Sequence, residues 1–489
     1  MKRTLKIIIS LVMSFSFLLL AACSSDDIKG ITSKEQLKGQ KFAICTSNSY
    51  YEKLINDELG GVEFVSFTNY FDTFISVKNG ACASAMAFVS SFAAVKEAYP
   101  ELTYLKSDIQ VPICAMFGPN SDSIKTIFNE YVKVRKEENY FTELRKRTID
   151  NYETNNVTVD YSDLENINGT IVIAYPTVNL PFTYLKNGKE CGFEAELIYD
   201  FCKYAGLKPE LVSTEYDGVT AGINSGKYEL AFGGYGALGE RKEVCNFSEP
   251  YLTDNLAYVV NPGNALENDG IFAALKTGIY RNFIKESRWK IIADGLFTTA
   301  KISVLSIVIG TLLGFIFYIL FRKNNPINKL CIKINDSFEA LPALIILMIF
   351  YYGFFGKSNL PGELVSILVF GMLFTFTVYT LLSSAVNTID YGQIEGSLAL
   401  GYNENQTLFK VVLPQAMKVF FPSYKSAIIG LIKGTAIVGY VAVNDLTKAG
   451  DIIRSSTFDA FIPLIAVALV YFIISKTIIK IIDKGVNKK

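Results

Sequence analysis

The chain has 489 residues, half of them hydrophobic and 13% aromatic, with a mean hydropathy of +0.28, which is the balance of a protein part soluble and part membrane-embedded, with room for about three units. Lys plus Arg and Asp plus Glu both total 47, so the basic excess expected of a nucleic-acid partner is missing. There is no His, which removes imidazole bases, His-ligated zinc and Ser-His or Cys-His nucleophile pairs. No G-x-x-x-x-G-K-[ST] phosphate loop occurs, and the eight Cys show no C-x-x-C spacing, so neither ATP binding by that route nor a metal site or disulfide framework is supported. No cofactor is expected.

In chain order, Lys2, Arg3 and Lys6 precede an apolar run from Ile7 to Leu20, followed by Leu20-Ala21-Ala22-Cys23. This predicts a signal peptide over 1–23, and its cleavage site resembles a bacterial lipobox, which implies lipidation of Cys23 and places the soluble residues after it outside the cytoplasmic membrane. The alternative, an uncleaved first span, would be short for crossing a bilayer. Residues 24–265 read as soluble α/β. Lys41–Cys45, Val62–Phe67, Ile171–Tyr175 and Glu229–Gly233 are β-rich, and Tyr51–Leu59 and Glu194–Ala205 are helical in pattern. The polar stretch Asn151–Asn168 reads as a linker.

From about residue 290 the candidate spans are Phe297–Phe321, Phe338–Phe355, Leu364–Val386, Val419–Val443 and Phe461–Ile482. The loop after the first span holds Arg322, Lys323, Lys329 and Lys333 against Asp336, and the tail holds Lys476, Lys480, Lys484, Lys488 and Lys489 against Asp483. The positive-inside rule puts both in the cytoplasm, together with the polar loop around Glu395. That loop predicts two short helices broken at Gly401. Asn403 and Gln406 are spaced as a capping box, and Pro414 limits the second helix to roughly three turns.

Glu395, Gly401, Leu413 and Pro414 resemble the EAA loop of ABC importer permeases, with Gly396 and Ser397 in place of its two Ala. The resemblance to polar amino acid permeases runs from Asn282 to the end, through "DGLFTTAKIS" and "GQIEGSLALGYNENQTLFKVVLPQAMKVFFPSYKSAIIGLIKGTAIVGYVAVNDLT". The family's R-G-T-P is reduced here to Glu339-Ala340-Leu341-Pro342, and its K-D-T-S-L to Lys433-Gly434-Thr435-Ala436-Ile437. An intramembrane Lys is functional by default, which makes Lys433 a candidate for the translocation path.

The soluble part resembles an amino-acid-type solute-binding protein with its lobes in exchanged order. Residues 166–265, with "TIVIAYPTVNLPFTY", "CGFEAELIYDFCKYAGLKPELV" and "YDGVTAGINSGKYELAFGGYGALGERKEVCNFSEPYL", resemble the family's first lobe, and 24–150, with "ITSKEQLKGQKFAICTSNSYYEKL" and "ISVKNGACASAM", its second. A span of this length suits one bilobal module rather than two. The expected architecture is thus a signal peptide (1–23), a lobe (24–150), a linker (151–165), a lobe (166–265), a linker (266–290) and an all-α membrane domain of five transmembrane helices (291–489).

The resemblance places Arg241 on a solute carboxylate, for which its planar fork is suited, and Tyr216 against the solute's side chain, with Phe182 or Tyr184 helping to close the cleft. Thr46, Ser47, Asn48 and Ser49 precede a helix, whose free N–H groups would meet the carboxylate from the other lobe. Two departures stand out: Pro176, and Ala83 and Phe88, occupy positions where the family supplies acids for an α-ammonium. The implied function is a fused solute-binding and permease subunit of an ABC importer for amino acids or related small polar solutes. It would work with a cytoplasmic ABC ATPase docked on 391–415 and a second permease subunit, most simply a copy of itself. The rival readings are a ligand-gated receptor or channel, which would want a re-entrant pore loop, and a non-transporting sensor.

Overall fold

A computed structural model describes residues 30–486, apart from 68–69, 156, 177, 187–188, 239–244, 264–275, 324, 359, 458 and 460. Cys23 with its signal segment, and Arg241, lie outside the described residues.

The soluble part is built on one continuous sheet. Its strands are β1 (Lys41–Cys45), β2 (Glu63–Phe67), β3 (Ser84–Phe88), β4 (Thr103–Phe117), β5 (Thr170–Pro176), β8 (Lys208–Thr214), β9 (Leu230–Gly236), β10 (Asn246–Phe247) and β11 (Leu252–Val260). The order is β2-β1-β3-β11-β4-β9-β5-β8, with β10 also on β4; β6 (Tyr184–Lys186) and β7 (Lys189–Cys191) form a separate ribbon. β1 pairs in parallel with β2 and β3, and β5 pairs in parallel with β8 and β9, so each end of the sheet is a parallel unit. The two ends are joined by β4, about 50 Å long at ~3.3 Å per residue. Its Thr103–Ile113 stretch pairs antiparallel with β11, and Ile113–Phe117 pairs with β9 and β10. The registers slip between Asn255 and Ala257 and between Cys114 and Met116, where the sheet passes from one half to the other.

The helices cover both halves: α1 (Glu52–Leu59), α2 (Tyr70–Lys78) and α3 (Phe92–Ala98) on the first, α4 (Asp122–Glu137), α5 (Tyr140–Arg145), α6 (Phe193–Ala205) and α7 (Tyr216–Asn224) on the second. Phe128 of α4 is fully buried and packs edge-on against Phe117, Phe201 and Phe232. One such ring contributes roughly 2–3 kcal/mol of burial, enough to fix α4 on the second half. The spatial halves therefore do not follow the boundary in sequence near 150–166: residues 113–150 pack with 170–250, and β11 belongs largely to the half that begins at β1. The 151–168 stretch is not a loose tether. Val159 N–H donates to the carbonyl of Glu190 at 2.8 Å, and the Tyr161 hydroxyl donates to that of Ala195 at 2.8 Å.

Among the described residues the membrane part has three helices long and apolar enough to span: α8 (Trp289–Phe321), α11 (Gly362–Asn387) and the Ile462–Lys480 portion of the last helix. Two further apolar helix pairs are sharply bent, each a broken span or a re-entrant turn, which makes three to five candidate spans among the described residues. α9 (Asn325–Glu339) meets α10 (Ala343–Met348, extended to Phe354) at 104°, and the helix running from Glu404 to Val441 meets the next at 53°. The expected span Phe338–Phe355 is thereby corrected: Phe338 belongs to the amphipathic α9, and the chain turns at Leu341-Pro342, where Pro342 has an extended ψ of 127°. α8 and α11 pack through small residues. A Cβ on Gly310 would lie 2.7 Å from Phe374, and one on Gly314 2.7 Å from Val378, so this pair needs its i, i+4 glycines for close approach.

Between α11 and the fourth span lies the hairpin of α12 (Tyr391–Ala399) and α13 (Glu404–Thr407). Gly401 has φ +86°, its N–H donates to Leu398 O, and Tyr402 N–H donates to Ser397 O, which is a Schellman closure. Asn403 N–H donates to Gln406 Oε1 and Gln406 N–H to Asn403 Oδ1, both at 2.9 Å, so the capping box forms as spaced. Pro414 does not end the second helix as expected. A π-turn over Leu408–Val412 breaks the i→i−4 ladder first, so Pro414 falls in the first turn of α14 (Leu413–Gly434), where a missing N–H is harmless. Then come a 3₁₀ stretch (Thr435–Val441), Ala442 at φ +60°, α15 (Leu446–Thr457) and α16 (Ile462–Val486).

Candidate solute site and coupling hairpin

A cleft of about 660 Å³ separates the two halves of the soluble part. Ser47, Asn48, Tyr50, Tyr70, Phe88 and Ser91 line it from the first half. Asn179, Tyr216, Thr220, Asn224 and the Gly233-Gly234-Tyr235 turn line it from the second. The wall is aromatic and neutral-polar, and no carboxylate is among its described residues. Phe88 at the end of β3 faces the cleft where the resemblance would put an acid. Nearby Asp254 is buried, but its carboxylate accepts backbone N–H groups, from Ser90 at 3.2 Å and Asn255 at 2.8 Å.

The structure separates the residues singled out in the sequence. Tyr216, the first residue of α7, stands in the cleft, with its hydroxyl donating to Gly233 O at 3.4 Å and its ring edge-on to Tyr235. Ser47 and Asn48 line the opposite wall, on a 3₁₀ turn over Thr46–Tyr51. The Thr46 hydroxyl is used locally, donating to Phe67 O at 2.8 Å, and Ser49 is exposed away from the lining. Phe182 is 1% exposed and packs against Phe193 in the core rather than on the cleft. Tyr184 packs edge-on against Tyr152, also away from the cleft. Tyr50, Tyr70, Asn179 and Tyr235 were not singled out, because their convergence depends on the fold and not on a local motif.

The Gly233-Gly234 turn is positioned from beneath by Glu194, in the first turn of α6. Glu194 is fully buried. Its Oε1 accepts the Gly234 N–H at 2.8 Å and the Tyr251 hydroxyl, and its Oε2 has no partner. Burial pushes its carboxyl up to about 7, although the hydrogen bonds donated to it work the other way. Gly234 sits at φ +63°, so the turn needs a residue that tolerates the left-handed region.

The cleft is continuous with the membrane part. Ser47, Tyr70 and Tyr216 also line a second cavity of about 370 Å³, completed by Gly439 and Tyr440 of the 3₁₀ stretch and by α15. Tyr352 ties the two parts together, its hydroxyl proton shared between Tyr440 O at 2.8 Å and Gly218 O at 3.0 Å, and Thr214 Oγ1 donates to Gly439 O at 3.2 Å.

The hairpin lies at the other end of α8, about 50 Å away along the helix. Arg322 donates to Asn405 Oδ1 at 3.1 Å, and Lys323 pairs with Glu404. Glu395, Gly401 and Pro414 are exposed and Leu413 is half-buried, beside the exposed apolar Tyr391, Leu400 and Phe409. Lys433 is exposed on the last turn of α14, just before the 3₁₀ stretch.

Residues 171–344 match the family described as bacterial extracellular solute-binding proteins, family 3, and 306–488 match the binding-protein-dependent transport system inner membrane component. A putative glutamine transport system permease protein of Rickettsia felis is 28% identical over 204 residues, covering 40% of this chain and 92% of its own length. The L-cystine transport system permease protein of Bacillus subtilis is 26% identical over 204 residues, covering 41% of this chain and 87% of its own. A solved amino acid ABC transporter chain matches 46% of this chain and 100% of its own at 24% identity with a TM-score of 0.39. The two matches overlap over 306–344; the first takes in the second side of the cleft and the second the apolar spans, and together they make this chain a transport subunit in which a family 3 solute-binding part is fused to the inner-membrane component of a binding-protein-dependent importer.

Proposed function

We propose that the chain captures a small, amino-acid-like carboxylate solute outside the membrane and delivers it through its own permease half. The observation that carries this is the seating of the soluble cleft over the broken fourth span, with Ser47, Tyr70 and Tyr216 shared between the cleft and the interface cavity. The amino-acid permeases among the relatives support the solute class. Arg241 would hold the carboxylate and Tyr216 would pack on the rest, with Ser47 and Asn48 meeting it across the cleft. No described residue of the 660 Å³ cleft is acidic, and in the adjoining cavity Asp72, Glu215 and Asp451 are paired with Arg454 or Lys448 while Asp445 accepts backbone N–H groups, so a free α-ammonium lacks an obvious partner, and an unpaired ammonium costs several kcal/mol to desolvate. Solutes without that group, or with it masked, should be accepted comparatively well.

The soluble module is one bilobal binding protein with its lobes permuted, acylated at Cys23, and lying opposite the 391–415 hairpin on the outer face. A cytoplasmic ATPase would dock on that hairpin through Glu395 and the exposed apolar residues around Gly401, with Leu413 and Pro414 carrying its motion into α14. A second copy of the chain would complete the translocation path beside Lys433. Calorimetry on the full chain in lipid nanodiscs tests the solute site. Arg241→Ala should abolish binding of amino-acid-like carboxylates, and Arg241→Lys should recover little, since the planar fork is lost. Undiminished binding by Arg241→Ala would reject the assignment.

A further inference from the structure

Helix α15 carries two cations that reach different halves of the binding module. Lys448, 5% exposed, pairs with Glu215, which precedes α7 on the second half. Arg454 donates to Asp72 Oδ1 of α2 on the first half at 2.9 Å, and to its own helix neighbour Asp451 at 2.9 Å. The two cations are six positions apart, which corresponds to about 9 Å along one rigid helix. That helix lines the second cavity, together with residues of both halves that include Ser47, Tyr70 and Tyr216 of the cleft. The halves are joined through β4 and β11, so opening the cleft rotates Asp72 relative to Glu215 while Lys448 and Arg454 stay fixed to each other.

We propose that α15 is a latch on the binding module, in which Lys448 holds one lobe through Glu215 and Arg454 holds the other through Asp72, so that the cleft opens only when one pair parts. The latch rests on the reading of the soluble part as a bilobal module. Because α15 follows the left-handed Ala442 and the 3₁₀ stretch of the fourth span, the angle between the lobes is tied directly to the break in that span. No additional element is needed to report cleft closure to the membrane.

The test measures distances in the full chain in lipid nanodiscs, without solute or ATPase, so that it stays readable if the transport reading fails. Spin labels on unnatural side chains at the exposed positions Asp57 and Lys203 report the angle between lobes. A second pair at Lys203 and Lys290 reports the seating of the second lobe on the membrane part. Asp72→Asn, a neutral change at a side chain 35% exposed, should leave the protein folded. It should raise the longer-distance population between 57 and 203 about tenfold, the ratio one partly buried ion pair supports, and leave the 203–290 distance unchanged. The exchange Asp72→Arg with Arg454→Asp should restore the narrow distribution. An unchanged 57–203 distance in Asp72→Asn, failure of the exchange to restore it, or both distances broadening together would each overturn the latch.

Discussion

The backbone N–H of Gly30 donates to the carbonyl oxygen of Asn261 at 3.0 Å, and that of Ile31 donates to the same oxygen at 3.2 Å. The start of the described chain thus lies against the end of β11, with Gly263 beside Gly30. On the proposed permuted reading, this is the place where an unpermuted chain would run on from β11 to β1.

A rewired soluble module should therefore fold. Starting it near Asn166, joining Gly263 to Gly30 through a short linker and ending near Thr154 keeps every strand pairing of the nine-stranded sheet, and closing a short loop is entropically cheap. It should show a single thermal transition and the solute affinity of the parent. Two separate transitions would mean that the halves are independent modules.

Gly401 should be replaceable by Asn but not by Val. A Cβ at this position would have no heavy atom within 4 Å, so the cost is purely that of φ +86°, about 1–2 kcal/mol for an L residue and more for a β-branched one. Gly401→Val should lose co-purification of the partner ATPase and solute uptake, while Gly401→Asn keeps both. Full uptake by the Val variant would remove the hairpin from the coupling path.

The parts that were legible in the sequence are those set by neighbours along the chain. The Asn403–Gln406 box, the Gly401 turn, strand β1 and the apolar segments follow from spacing alone. What was not legible depends on contacts far apart in sequence. Nothing local marks β4 as serving both halves of the sheet, and Arg454 meets Asp72 across 382 positions. Pro414 reads as a helix stop until the π-turn at Leu408–Val412 is seen to have opened the ladder already. Phe182 reads as a cleft residue because it is aromatic and near the ligand strand, but its burial against Phe193 is a tertiary outcome.

Glu194 should make the binding module more stable in mild acid. Its carboxyl is raised in the fold from an ordinary value of 4.5 to about 7, so the folded state binds the extra proton. The stabilisation is complete below about pH 4.5 and is lost as the pH climbs to about 7, an amount of roughly 3 kcal/mol at most. Glu194→Gln keeps an acceptor for Gly234 N–H and Tyr251, and should flatten that part of the profile. The check is the melting temperature of the soluble module in the full chain from pH 4.5 to 8, wild type against variant. Parallel profiles would show that Glu194 does not titrate in this window.

Phe88→Asp should change what the cleft accepts. The side chain stands at the end of β3 on the cleft wall, half-buried, and the described lining offers no other anion. A carboxylate there would face a solute's α-ammonium, and one charge-assisted hydrogen bond in a partly screened site contributes about 1.5–3 kcal/mol, or roughly ten- to hundredfold in affinity. The variant should gain that factor for free α-amino acids and not for the matching des-amino acids, while the parent should discriminate little between them. Calorimetry with amino acid and des-amino pairs decides it. Strong preference for the amino acid in the parent would place an acidic partner for the ammonium elsewhere in the cleft, and an unchanged ratio in Phe88→Asp would mean that the solute does not present its ammonium to β3.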